Sequence, residues 1–138
     1  MDQESLVNER IEAGWKLLHE FHHYKPVDLA FWGRSSENGR WLLYIASGPT
    51  RGKSMHEDYR ELHRILDPST EFVVDSSEVR LIGADHPAAE TAREIIQSYP
   101  GRFSHGANLG VESDRIRFRL YGIDQAYIYK PAIFVATT

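Results

Sequence analysis

The sequence predicts an α+β domain in which helices pack on a mixed five-stranded sheet. Apolar residues alternate with a period of two in several short segments and recur every three or four residues in three longer ones. The resulting order is α-β-β-α-β-α-β-β, with a hairpin at each end of the chain and crossover helices between them. The 138 residues suit one domain, residues 1–138, because no repeat or linker divides them.

The first helix is predicted over roughly residues 4–23, and Pro26 ends it because the residue before a proline leaves the helical region. Its apolar stripe has a helical spacing and consists of Val7, Ile11, Trp15, Leu18 and His22. Strands are predicted near 27–34 and 40–47. The Asn38-Gly39 pair between them tolerates positive φ and predicts a tight hairpin.

A second helix is predicted near 55–66, where Ser54 and Glu57 form the pattern of a capping box. Residues 68–77 are predicted to be a loop, followed by a strand over Val79–Gly83. The apolar stripe of this helix is Met55, Tyr59, Leu62 and Leu66.

The third helix is predicted near 86–98, with Asp85 as its N-cap and Pro87 in its first turn. A polar loop over 101–113 and a hairpin complete the chain. The strands of that hairpin are predicted over 115–121 and 126–130.

Composition excludes several classes of protein. The net charge of −4 argues against general binding to a nucleic-acid backbone, which favours a basic surface. The absence of cysteine excludes disulfides and thiolate metal sites. No apolar run approaches the roughly 18 residues that a membrane span needs, and the acidic, polar first residues do not resemble a signal peptide. We therefore expect a cytoplasmic protein with no membrane association and no cofactor.

Two near-motifs are present, and we interpret both as structural. His19-Glu20-Phe21-His22-His23 matches the zinc-binding pattern HExxH, but the apolar stripe places Glu20 opposite the core and Pro26 stands where the extended motif has glycine. We predict no metal site here. Residues 47–54 resemble a phosphate-binding loop, but Ser47 occupies the position of its first glycine. A looser anion contact through Arg51 and Lys53 is the alternative.

Two surfaces are candidate binding sites. Alternation places Arg115, Arg117 and Arg119 on one face of a strand, and Tyr127 and Tyr129 on one face of the next. Together they would suit a carboxylate, a phosphate or stacked bases; cross-strand pairs on a solvated face are the structural alternative. Separately, an apolar interface patch would form if no helix covers three residues, namely Trp32, Leu42 and Tyr44.

The chain resembles a group of small bacterial proteins of unknown function. The likeness lies in Ala30-Phe31-Trp32, in residues 41–47 and in Ala126-Tyr127-Ile128-Tyr129. It implies a bacterial origin and a shared fold, and it transfers no catalytic residue.

The leading functional hypothesis is a non-catalytic binding or interaction module, whose partner is another protein or a second copy of the chain. No catalytic set assembles from the sequence, and this observation motivates the hypothesis. The alternatives are a small metal- or nucleotide-dependent hydrolase and an RNA-binding domain.

Overall fold

The computed structural model describes residues 8–35, 37, 39–48, 53–66, 75–98, 107–109 and 122–129. The helices of this part of the chain are α1 (Asn8–Tyr24), α2 (Lys53–Leu66) and α3 (Pro87–Ser98). The strands are β1 (Leu29–Ser35), β2 (Trp41–Ala46), β3 (Val79–Ile82), β4 (Ala107–Leu109) and β5 (Ile123–Ile128). A 3-10 helix, η1 (Ser76–Glu78), precedes β3.

The strands lie side by side in the order β3-β2-β1-β5-β4. β2 and β3 are parallel, whereas β1 runs antiparallel to β2 and β5, and β4 antiparallel to β5. The predicted α+β class and mixed sheet are therefore confirmed. The strand β4 falls in the segment predicted to be a loop. Both edges of β5 along residues 126–128 are taken, by β1 and β4, and the predicted strand over 115–121 lies outside the described residues.

Helices cover both faces of the sheet, which explains why β1 is buried on both sides. One face packs against α1 and α2, with Trp32 and Leu43 facing Leu17, Phe21 and other apolar residues of these helices. The opposite face packs against α3, through a cluster made by Leu29, Phe31, Ala46, Ile82, Ala88, Ala89, Ala92, Ile95, Ile123, Ala126 and Ile128. The sheet is thus the middle layer of three.

The predicted hairpin between β1 and β2 is confirmed. The amide of Ser35 donates to the carbonyl of Arg40 at 2.8 Å, and the amide of Gly39 donates to the carbonyl of Ser35 at 2.9 Å. Gly39 has a φ of 72°, a left-handed conformation that a residue without a Cβ adopts readily. The turn therefore forms where Asn38-Gly39 predicted it.

The buried side of α1 differs from the predicted stripe. The residues of α1 that bury against the sheet and α2 are Ala13, Gly14, Leu17, Leu18 and Phe21. Trp15, a predicted core residue, is 36% exposed. The reason is a close approach at Gly14, where an added Cβ would lie 2.5 Å from the Tyr129 hydroxyl and 3.1 Å from Trp32 Nε1. Small side chains, which a count of large apolar residues overlooks, bring this helix onto the sheet.

A buried hydrogen-bond chain fixes α1 to the centre of the sheet. Trp32 Nε1 donates to the Tyr129 hydroxyl at 2.8 Å, and that hydroxyl donates to the carbonyl of Ile11 at 2.6 Å. Burial raises the pKa of Tyr129, so it stays protonated and can donate. Arg10 lies 5.0 Å from the centre of the Trp32 ring and pairs with Glu78 at 2.5 Å, which joins α1 to η1.

The second helix begins earlier than predicted. Lys53 is its first residue, so Ser54 lies inside the first turn and not ahead of it as the predicted capping-box serine. The predicted core side of the helix is close to the observed one, since Leu62 and Leu66 are buried and Met55 and Tyr59 are half-buried. No helix of the described residues is long and apolar enough to cross a membrane.

Candidate ligand-binding crevice

The parallel strands β2 and β3 end at the same edge of the sheet, and the segments that follow them then separate. After β2 the chain passes to α2 on the face that carries α1, whereas after β3 it passes to α3 on the opposite face. The amide of Ser47 still reaches the carbonyl of Ile82 at 3.3 Å, and that of Ala84 reaches the carbonyl of Gly48 at 3.3 Å. The segments that follow β2 and β3 thus diverge just beyond the residues whose backbones are still hydrogen-bonded to each other.

A crevice of about 370 Å³ lies at this edge, between the beginnings of α2 and α3. Its lining combines apolar and polar residues, namely Met55, Leu81, Ile82, Gly83, Asp85, His86 and Pro87. Leu81 and Ile82 are buried strand residues and form its base, while Asp85 and Pro87 are exposed at its rim. A volume of this size is within the range of roughly 300–1,000 Å³ that small-molecule sites occupy.

His86 caps the N-terminus of α3, in the place that the sequence assigned to Asp85. Its Nδ1 accepts the amide of Ala88 at 3.0 Å, and its carbonyl accepts the amide of Glu90 at 3.0 Å. Pro87 is the first helical residue, where its missing amide is not needed. Because Nδ1 accepts a hydrogen bond, the proton of the neutral imidazole is assigned to Nε2. His86 lines the crevice, and in the assigned tautomer its Nε2 is a hydrogen-bond donor.

A buried carboxylate fastens α2 to the end of α1. Asp58 is 2% exposed and accepts hydrogen bonds from the Tyr24 hydroxyl at 2.7 Å and from Lys25 Nζ at 2.8 Å. The hydrogen bond to Asp58, with smaller effects of burial and nearby acidic groups, raises the pKa of Tyr24 to about 12. Lys25 Cε also lies 3.6 Å from the position that a Cβ on Gly48 would take. These contacts hold the beginning of the loop after β2.

Ser47 is the first residue after β2 and is fully buried. Its Oγ has no hydrogen-bond partner among the residues that the structure describes. The position where a phosphate-binding loop requires glycine is thus filled by a buried side chain. The predicted anion contact at Arg51 and Lys53 cannot be placed, since Arg51 and the side chain of Lys53 lie outside the described part of the chain.

The histidines of the HExxH segment do not assemble a site. The ring of His19 packs edge-on against Trp15 with centroids 4.1 Å apart, and Glu20 and His23 are exposed. The Nδ1 of His22 accepts the amide of Val27 at 3.0 Å, so this ring stabilises the turn that leaves α1. No group of three His, Asp or Glu residues in the described ranges is arranged to hold a metal ion.

Of the predicted arginine–tyrosine surface, only the two tyrosines lie in the described part of the chain. Tyr129 is 1% exposed and its hydroxyl serves the core, so its ring cannot stack on a ligand. Tyr127 is half-buried and packs edge-on against Tyr129 with centroids 5.5 Å apart. The predicted arginines, Arg115, Arg117 and Arg119, lie outside the described residues.

The predicted apolar patch is divided between two faces of the sheet. Trp32 is fully buried beneath α1. Leu42 and Tyr44 alternate with the β2 residues of that face and therefore belong to the opposite one. Tyr44 stacks on Phe31 with centroids 4.9 Å apart, and burial raises its pKa. Trp32 is thus a core residue and cannot share an interface with the other two.

No protein-family model, curated protein or solved structure matches the chain. The resemblance of its hairpins to a group of small bacterial proteins therefore stays a prediction. The function of the crevice has to follow from the chemistry of its own residues.

Sequence reasoning missed the crevice because its lining comes from distant segments. Met55 and His86 are 31 positions apart and meet only because β2 and β3 are adjacent and parallel. The one usable signal was the pair Asp85-His86 at the start of a helix that follows a strand. The carboxyl ends of adjacent parallel strands are where such residues converge.

Proposed function

We propose that this protein is a non-catalytic binding module that takes a small molecule in the crevice at the carboxyl edge of β2 and β3. The observation that carries the proposal is the divergence of α2 and α3 to opposite faces of the sheet just after two adjacent parallel strands. Such a switch point leaves a gap beyond the strand ends, and ligands of open α/β sheets bind in that gap. The mixture of an apolar base and a few polar groups supports the same reading.

A binding role is favoured over catalysis by what the lining offers. His86 and Asp85 are the titratable residues of the crevice, and Nδ1 of His86 is already committed to the α3 cap. A general base needs a lone pair directed at the substrate, and the remaining ring nitrogen carries a proton in the assigned tautomer. The described lining thus offers a ring donor and the Asp85 carboxylate but no nucleophile paired with a base, which favours binding over catalysis.

The test is a titration of the isotopically labelled chain with a library of small fragments, followed by NMR. We expect binders that shift the amides of Gly83, Asp85 and His86. Met55→Trp, which fills the crevice, should weaken this binding at least tenfold.

The matched control is His56→Trp, which places the same ring on the neighbouring exposed position of α2. Binding should survive this substitution. A library without a binder, or fragments that bind Met55→Trp as well as the original chain, would overturn the proposal.

A further inference from the structure

Two adjacent residues of the crevice lining, Asp85 and His86, carry an acceptor and a donor. The donor is Nε2 of His86, because Nδ1 accepts the amide of Ala88 at 3.0 Å. The acceptor is the carboxylate of Asp85, whose two oxygens offer about four lone-pair sites and so accept a ligand in addition to any bond already made. Both residues line the same crevice. Together they complement a ligand edge that carries an acceptor beside an N–H.

The wall combines the negative Asp85 carboxylate with the positive end of α3, so an ion of either sign is repelled by one of these groups. An anion would lie beside the Asp85 carboxylate, on a chain with a net charge of −4, and like charges at contact distance repel strongly where water is partly excluded. A cation would be attracted by Asp85 but would also face the Nε2–H of His86 and the positive end of α3. A neutral polar ligand satisfies both groups without these penalties.

The rest of the lining favours a flat apolar body. Leu81 and Ile82 form a base with no charged group, and Met55 and Pro87 stand on the α2 and α3 sides. Thioether and proline side chains pack well against aromatic rings. A space of about 370 Å³ accommodates one heterocycle with a small substituent.

The geometry points to a neutral nucleobase, bound as the free base or nucleoside, with an N–H to Asp85 and an adjacent ring nitrogen or carbonyl accepting from His86 Nε2. This inference rests on the proposed function and names the ligand class of the same crevice. His86 is then the specificity-determining residue.

The experiment titrates the full chain with uridine and adenosine by NMR at slightly alkaline pH. Their base-methylated analogues, 3-methyluridine and N6,N6-dimethyladenosine, keep the ring but lose the N–H. Benzoate and benzamidine serve as an anionic and a cationic ring of similar size. We expect at least one nucleoside to shift the amides of Gly83 and His86, its methylated analogue to bind about three- to tenfold more weakly, and both charged rings to bind more weakly than it.

The variant arm uses His86→Asn, because asparagine retains an N-cap acceptor for α3 and lacks the distant ring donor. It should weaken nucleoside binding about three- to tenfold. The control His63→Asn removes an exposed histidine of α2 and should leave binding unchanged. Circular dichroism of both variants shows whether they remain folded, and the methylated analogues test the inference on the unmodified chain in either case.

The outcomes separate the inference from the proposed function. Tighter binding of benzoate or benzamidine at Gly83 and His86 would overturn the nucleobase and leave a small-molecule crevice. If nucleosides bind His86→Asn as tightly as the original chain, the role of His86 is overturned. If the methylated analogues bind as tightly as their parent nucleosides, the N–H contact to Asp85 is overturned. If the fragment library finds binders at these amides and no nucleoside binds, the nucleobase alone fails; if neither binds, both proposals fail.

Discussion

At the scale of single residues, Gly14 and Tyr129 are packed closely enough that an added Cβ would lie 2.5 Å from the tyrosine hydroxyl. The Tyr129 hydroxyl links Trp32 Nε1 to the carbonyl of Ile11, and Gly14 leaves the space in which it lies. The Tyr129 ring is fully buried, and its hydroxyl both accepts and donates a hydrogen bond. It therefore cannot rotate away from a methyl group added at Gly14. The network and the glycine therefore depend on each other.

We predict that Gly14→Ala destabilises the protein, although alanine is the better helix former by about 1 kcal/mol. Overpacking against a fixed partner costs about 1–3 kcal/mol, so the net loss should be up to about 2 kcal/mol. Urea unfolding followed by tryptophan fluorescence measures it. Glu12→Ala, an exposed position on the same helix, is the control and should have little effect.

Tyr129→Phe should cost about 1–3 kcal/mol, because it leaves Trp32 Nε1 buried without its acceptor. In that background the atom nearest to the added Cβ is gone, so Gly14→Ala should become neutral or stabilising. The coupling between the two substitutions, measured by the same unfolding experiment, should be at least about 0.5 kcal/mol. If the effects of the two substitutions on the free energy of unfolding are additive, the Tyr129 hydroxyl does not cause the loss of stability in Gly14→Ala.

Tyr24 gives a pH-dependent prediction. Its folded-state pKa, raised to about 12 by the hydrogen bond to Asp58, exceeds the ordinary value of 10.0. Stability from this bond is therefore fully present below pH 10 and is lost as the pH rises from about 10 to about 12. Ultraviolet titration of tyrosinate should lose its component near pH 12 in Tyr24→Phe. In Asp58→Asn that component should move to lower pH; an unchanged titration in both variants would contradict the assignment.

At the scale of elements, the beginning of α3 depends on an unusual cap. His86 provides the acceptor for the Ala88 amide, a role that serine, threonine, aspartate or asparagine usually fills. The outer strand β3 is protected in a comparable way, since its Leu81 amide donates to the Tyr59 hydroxyl at 3.0 Å. Side chains thus satisfy backbone groups that the sheet and the helix leave open.

We predict that His86→Ala destabilises the protein by about 1 kcal/mol and that His86→Asn does not, because only asparagine retains the acceptor. Thermal unfolding monitored by circular dichroism compares the two. Equal losses in both variants would mean that the ring contributes by packing and not as a cap.

The elements also show what the sequence could and could not predict. Asn38-Gly39 and Pro87 have local conformational preferences, and the hairpin and the start of α3 followed from them. The side of α1 that packs on the sheet could not be predicted in this way. Ala13 and Gly14 lie there because the neighbouring side chains leave little space, and not because these two residues are strongly hydrophobic. The crevice requires the parallel pairing of β2 and β3, a contact between segments that no local pattern specifies.

At the scale of the whole molecule, the sheet is the middle layer and β1 is its central strand. Leu29 and Phe31 of β1 face α3, whereas Ala30 and Trp32, which alternate with them, face α1 and α2. On its two edges β1 pairs with β2 and with β5. Residues 31–34 of this strand are therefore paired on both edges.

We predict that the amides of Ala30, Phe31 and Trp32 exchange with solvent most slowly, because opening them requires separation of the sheet on both sides. Hydrogen exchange followed by NMR tests this. The amides of β3, which has one described neighbour in the sheet, should exchange faster. Equal protection of β1 and β3 would contradict a core centred on β1.

The position of β1 also affects how the protein is made. The side chains of Trp32 in β1 and Tyr129, which follows β5, are hydrogen-bonded to each other and are 97 residues apart in the chain. During synthesis on the ribosome, β2 emerges soon after β1 and can pair with it, whereas β5 emerges only after nearly all the described chain. Until then the nascent chain presents one open edge of the buried strand β1, the kind of edge through which unfinished chains associate. The core is therefore completed only after β5 has been made, and this is the stage at which a chaperone would protect the protein.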